Sequence, residues 1–186
     1  MNDLSATFRE CYGCKAQFIY NDGPTDRYGV CSPECWATFN AVLAKEQEWA
    51  GYPFIHRLLV DTYAVQHPPH LEIQKKLEIN QRLINASIQS VFIHLIALYL
   101  AFEKKIQLQD ISKHMAHILK TEVKFELLEL KAPSKLGHLT IADIHKASTF
   151  EEYEKLIYQW AESTWKAWIN YHNTVKQLYE KYGLSK

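Results

Sequence analysis

At 186 residues, 47% of them hydrophobic and 23% charged, the chain has the proportions of one ordinary globular domain with a small appended module. Lysine plus arginine and aspartate plus glutamate both number 21, so the formal net charge is zero. That balance argues against nucleic acid as the main partner, because neutralising phosphates calls for a basic excess.

Met1 to Glu10 is polar, so no secretory signal is expected. All four cysteines follow closely, as Cys11-Tyr-Gly-Cys14 and Cys31-Ser-Pro-Glu-Cys35, with sixteen residues between the pairs. In a reducing, cytoplasmic compartment such pairs favour metal over disulfides or free thiols. The spacing predicts one tetrahedral structural zinc held by Cys11, Cys14, Cys31 and Cys35. Gly13 is expected to supply backbone freedom to the first knuckle. Ser32 followed by Pro33 is a helix start that places Cys35 in the first turn, where the helix dipole favours a thiolate. A knuckle, an excursion through Asn21-Asp-Gly-Pro24 and a pair at a helix start resemble treble-clef zinc modules.

Beyond the module, assigned to residues 1–36, residues 37–186 are predicted to form a helical bundle, the two together making one compact unit. The first helix runs from Pro33 to about Trp49, with Trp36, Phe39 and Leu43 on one stripe. Gly51-Tyr-Pro53 breaks it and opens a second, which ends at His67 before Pro68-Pro69, with Ile55, Leu58, Thr62 and Val65 on one face. The third, from roughly Leu83 to Lys104, is apolar nearly all round and belongs in the middle of the bundle. Its greasy stretch, Val91 to Phe102, is 12 residues interrupted by His94. A membrane span needs about 20, so none is expected. Residues 108–120 form an amphipathic helix, and Glu122 to Leu130 suggests a strand or extended segment. Thr140 with Asp143 caps a small helix, and Ser148 with Glu151 opens a last helix running to about Tyr182. That last stripe carries Ala161, Trp165, Trp168, His172, Val175 and Tyr179.

Three histidines interrupt apolar stripes: His67, His94 and His172. A buried imidazole needs a partner. Either the three converge as a second polar or metal site, as in bundle metalloproteins, or each is satisfied separately. His56 shares the stripe of His67 but stands eleven residues away, ~16 Å along a straight helix. Asp61, one turn after Arg57, is read as half of an ordinary ion pair and as the weakest candidate. His114 and His117 are read as surface residues.

Asp22-Gly-Pro-Thr25, Ser32-Pro-Glu-Cys-Trp36, His56-Arg-Leu, Val60-Asp-Thr-Tyr-Ala-Val-Gln-His-Pro68, Gln89-Ser-Val, His94-Leu, Leu139-Thr-Ile-Ala-Asp143 and Trp160 to His172 together resemble an uncharacterised bacterial family, domain of unknown function 5946. The match spans residues 11 to about 178. No activity follows from it. It does imply that the run around His67, with His94 and His172, is shared among these proteins. The family pattern often has His at the position of Asp26 and a small residue at that of Cys31. The resemblance therefore implies a zinc held elsewhere by three Cys and one His, with Cys31 taking the fourth role here.

No phosphate-binding loop, dinucleotide fingerprint, nucleophile elbow or zinc-protease motif occurs. Three functions compete. One is a zinc-stabilised binding or interaction protein. Another is a metal-dependent hydrolase or transferase using His67, His94 and His172 on a second divalent metal, with Asp61 or Gln66 nearby. The last is a nucleic-acid-binding treble clef, for which Arg9, Lys15 and Arg27 are thin support.

Overall fold

The computed structural model describes residues 7–26, 30–69, 80–120 and 130–182. The expected extended segment at 122–130 lies outside them except for its last residue, as does His70.

A two-stranded antiparallel hairpin comes first: β1 (Phe8–Glu10) pairs with β2 (Gln17–Ile19), Arg9 opposite Phe18. The turn between them is the first cysteine knuckle, closed by the Cys11 amide donating to the Ala16 carbonyl at 2.8 Å. The left-handed residue of this turn is Lys15, at φ 64°, and not Gly13. The hairpin is tied to the helix that follows by buried Glu34, whose Oε1 accepts from the Asn21 amide at 2.8 Å and faces Arg9 at 3.5 Å.

That helix, α1 (Pro33–Ala50), is capped by Ser32, whose hydroxyl accepts from the Cys35 amide at 3.3 Å. Its buried residues are Glu34, Cys35, Phe39, Val42 and Glu46, so of the expected Trp36–Phe39–Leu43 stripe Phe39 is buried and Trp36 and Leu43 are partly buried beside it. Helix α2 (His56–Gln66) buries Leu58, Thr62 and Val65 as expected, together with Ile55 just before it, and also Asp61 and Gln66. Gln66 donates to the carbonyls of Leu136 (2.7 Å) and Leu139 (2.8 Å), fastening the 130–140 loop.

Helix α3 (Gln81–Phe102) starts on an Asn80 cap and is the centre of the bundle. It packs against α2, α4 (Leu108–Lys120), the long helix α6 (Phe150–Ala167) and the terminal α7 (His172–Tyr182). Among the described residues it is the one helix long and apolar enough to cross a membrane, and more than half of its apolar window is buried inside the bundle. A helix apolar on every side finds partners on every side here, which is how the core helix of a bundle is made.

The short α5 (Ile141–Ile144) has the Thr140–Asp143 capping box and packs on α1. Two expectations about the last helix need correction. Its cap is Thr149, which accepts from the Glu152 amide at 3.2 Å, while Ser148 instead donates to the Glu152 carboxylate. It is also two helices, because a 3₁₀ turn (Ile169–Tyr171) follows Trp168 and re-aims the chain into α7. Trp160, Trp165 and Trp168 are almost fully buried around that bend.

Candidate metal centre and the polar cluster beside it

Three segments that are distant in sequence meet at one buried point. The β-hairpin turn brings Cys11 and Cys14, the first turn of α1 brings Cys35, and the residue that ends α2 brings His67. One ligand atom from each lies within 4.8 Å of all the others. The distances have the scale of a tetrahedron around one ion. With metal–sulfur bonds of about 2.3 Å and metal–nitrogen bonds of about 2.0–2.1 Å, ligands should stand about 3.8 Å apart for S···S and about 3.5 Å for S···N. Here Cys14 Sγ and Cys35 Sγ are 3.9 Å apart. His67 Nε2 lies 3.5 Å from Cys11 Sγ and 3.3 Å from Cys35 Sγ. This group can hold a metal ion.

The surroundings orient the ligands. His67 Nδ1 donates to the Tyr63 carbonyl at 2.7 Å, one turn back on α2. A carbonyl only accepts, so the proton sits on Nδ1 and Nε2 is left to face the sulfurs. The Tyr63 hydroxyl lies 3.6 Å from Cys35 Sγ, placed to donate to a thiolate. Gly13 is needed for closeness: a Cβ there would stand 2.4 Å from His67 Cδ2 and 2.9 Å from the Gln66 carbonyl oxygen. The knuckle can reach His67 only because residue 13 has no side chain.

The charges of Cys11, Cys35 and His67 are strongly interdependent. Hydrogen bonds from Cys14 and Cys35, with His67 beside it, hold the Cys11 thiol well below the ordinary thiol range. Burial pulls His67 down, but hydrogen bonds to Cys11 and Cys14 and their charge outweigh it and push His67 up to about 10. Cys35, facing the sulfurs of Cys11 and Cys14, is raised. One divalent ion satisfies all four groups at once by displacing those protons.

Cys31 is not in this group. Its Sγ donates to Asp26 Oδ2 at 2.8 Å, and the Thr25 hydroxyl donates to its carbonyl at 2.8 Å. Burial, then the Asp26 charge, push its thiol up to about 12. A sulfur that keeps its proton is a poor metal ligand. Cys31 and Asp26 thus bond to each other, and the histidine grouped with Cys11, Cys14 and Cys35 is His67. All four cysteines are free of disulfides.

The remaining histidine candidates go to separate places. His94 Nδ1 donates to Asp61 Oδ1 at 2.6 Å, and Arg57 Nε donates to Asp61 Oδ2 at 2.9 Å. The Arg57–Asp61 pair is the one expected from spacing, and Asp61, only 2% exposed and outside the metal group, also accepts from His94. His172 stacks on Trp165, ring centroids 3.8 Å apart, and its Nε2 bonds the Trp165 carbonyl at 3.0 Å. It stabilises the bend between α6 and α7. His56 pairs through Nδ1 with Glu46, which also accepts from the Tyr153 hydroxyl at 2.6 Å. The convergence of His67, His94 and His172 on one ion therefore does not occur. His67 and His94 do share a cavity of about 380 Å³, walled by Trp36, Phe39 and Tyr63. His114, expected at the surface, is half-buried and bonds the Tyr179 hydroxyl at 3.2 Å.

Neither a curated protein nor a solved structure matches this chain. The sequence matches a family of unknown function over residues 9–169, which takes in all four members of the metal group and the His94–Asp61 cluster; the chain belongs to that family, DUF5946.

Proposed function

We propose that Cys11, Cys14, Cys35 and His67 bind one zinc ion, that this zinc is structural, and that the protein works as a binding or interaction protein. The observation that carries this reading is the mutual approach of four ligand atoms within 4.8 Å. Three thiolates and an imidazole form a soft donor set that suits zinc and disfavours magnesium or calcium, which take oxygen. Four protein ligands leave no open coordination position, so the ion has no place for substrate or an attacking water. A knuckle in a hairpin turn with a third ligand in a helix's first turn makes the module treble-clef-like, completed by α2. Because His67 lies outside residues 1–36, the ion joins the module to the bundle as one compact unit. Reduced thiols suit a cytoplasmic location.

The test is metal analysis of tag-free protein. The reading expects one equivalent of zinc, lost in Cys14→Ser and in His67→Ala and retained in Cys31→Ser. Zinc lost in Cys31→Ser, or full occupancy surviving His67→Ala, would overturn the ligand set. A folded protein with no metal would overturn the whole reading.

A further inference from the structure

The cavity shared by His67 and His94 has chemistry of its own, separate from the metal. One wall is a ladder of aromatic rings. Trp36 stacks on Phe39 with centroids 5.6 Å apart and planes at 24°, and Phe39 stacks on Tyr63 at 4.0 Å and 23°. Across from them α3 contributes Ser87, Ser90 and His94. Seven and four residues before His94, the two serines share its helix face. Neither serine hydroxyl makes a hydrogen bond among the described residues, although Ser87 is only 4% exposed. A volume of about 380 Å³ falls within the range of small-molecule sites, and few polar groups against a mostly apolar wall is their usual make-up.

His94 fixes the kind of molecule. Its Nδ1 is spent on Asp61, whose buried carboxylate also accepts from Arg57 Nε. A carboxylate accepts, so Nδ1 carries a proton, and in the Nδ1–H tautomer Nε2 is the acceptor that borders the cavity. Nε2 has no partner among the described residues, and the cavity it borders contains no lysine or arginine among its described lining. With the Asp26 carboxylate also in its wall and no lysine or arginine among its described lining, this site suits a hydrogen-bond donor better than an anion. A molecule that presents a hydrogen-bond donor fits it.

We propose that this cavity binds a small, neutral aromatic molecule bearing a hydroxyl, its ring against the Trp36–Phe39–Tyr63 wall and its O–H donated to His94 Nε2. Asp61 and Arg57 are positioning residues that hold the imidazole tautomer and touch no ligand. His94 and Asp61 belong to no zinc ligand set, while His67, which also lines the cavity, does.

Titration calorimetry on the full-length, metal-loaded protein tests this with 2-naphthol against 2-methoxynaphthalene, which cannot donate. The expected result is saturable one-to-one binding of 2-naphthol, about tenfold tighter than the methyl ether. His94→Phe keeps the bulk and removes the acceptor, and should bring the two probes to similar affinity. Ala64→Phe, which fills the cavity from α2, should abolish binding of both. Circular dichroism and zinc content of each variant separate a lost site from a lost fold, and a shift of the His94 imidazole nitrogens on adding 2-naphthol to the unmutated protein gives a readout that needs no variant. No binding, equal binding of the two probes, unchanged binding in Ala64→Phe, or an unmoved His94 resonance would overturn the proposal.

Discussion

Gly13 and Cys31 mark how far single residues could be read. The C-x2-C and C-x3-C spacings announce a metal, and three of the four cysteines do gather. Spacing along a chain does not say where each thiol points. Cys31 precedes the cap residue Ser32 and turns to Asp26, whereas Cys35 sits inside the first turn and faces the knuckle. His67 stands 32 residues beyond Cys35, a separation with no local signature, because it arrives through the packing of α2 on the hairpin turn. The residue that makes this approach possible is Gly13, and the reason is contact, not backbone freedom. Gly13→Ala would force its methyl against His67 Cδ2 and the Gln66 carbonyl. The expected cost is about 1–3 kcal/mol, by analogy with overpacking in a tight core. It should appear as a lower unfolding temperature and as faster zinc loss to a chelator. Unchanged values for both would mean that the knuckle approaches His67 less closely.

Asp61 belongs to the same scale. Removing its carboxylate leaves His94 Nδ1–H and Arg57 Nε–H without their acceptor in a largely buried setting. Breaking a buried charge pair by deleting one partner costs about 3–5 kcal/mol. Arg57 and His94 are 27% and 21% exposed, so water recovers part of this and the lower end is expected. Urea unfolding of Asp61→Ala checks the value, and zinc content should stay at one equivalent because no ligand is touched.

At the scale of elements, hydrophobic periodicity located the helices, since a buried stripe is required of any helix in a bundle. Helix ends were legible where a side chain caps them. Ser32 and the Thr140–Asp143 box stand where the sequence puts them. The start of α6 is off by one because Ser148 and Thr149 are both competent caps, and only tertiary packing chose Thr149. Thr149→Ala should cost about 1 kcal/mol, the usual value of a lost cap. Thr149→Asp should recover most of it, while Ser148→Ala should cost less. Comparing their urea midpoints decides which residue is the cap. The break after Trp168 was illegible because the stripe from Ala161 to Tyr179 keeps its three-and-four rhythm straight through the bend. A 3₁₀ turn shifts the phase by only a fraction of a residue. What holds the bend is His172 against Trp165, a contact between residues seven apart that a continuous helix would also bring close.

For the molecule as a whole, the metal group brings together the hairpin, the start of α1 and the end of α2, which are also linked by Glu34 and by Phe39 stacked on Tyr63. The hairpin has three-residue strands and exposes Phe8 and Ile19, too little buried surface to hold itself in place. Beyond the Glu34 tie, a bound ion would hold it, so metal removal should be felt as global stability by mass action. Free zinc at 100 times its dissociation constant would contribute about 2.7 kcal/mol. For a chain of this length that corresponds to a fall of roughly 5–11 °C in Tm on chelation. Acid should act in the same direction. Binding requires His67 and the three thiols to be deprotonated, and His67 is held up at about 10 without an ion, so protons compete with metal over the whole range below that value. Zinc affinity should thus decline steadily as pH falls. The calorimetric gap between zinc-loaded and chelated protein should narrow with it. In Cys14→Ser the gap should be absent at every pH, because one of the four ligands is already gone. A gap that stayed constant from neutral to acidic pH would mean that the protonatable sulfurs and imidazole are not what holds the metal.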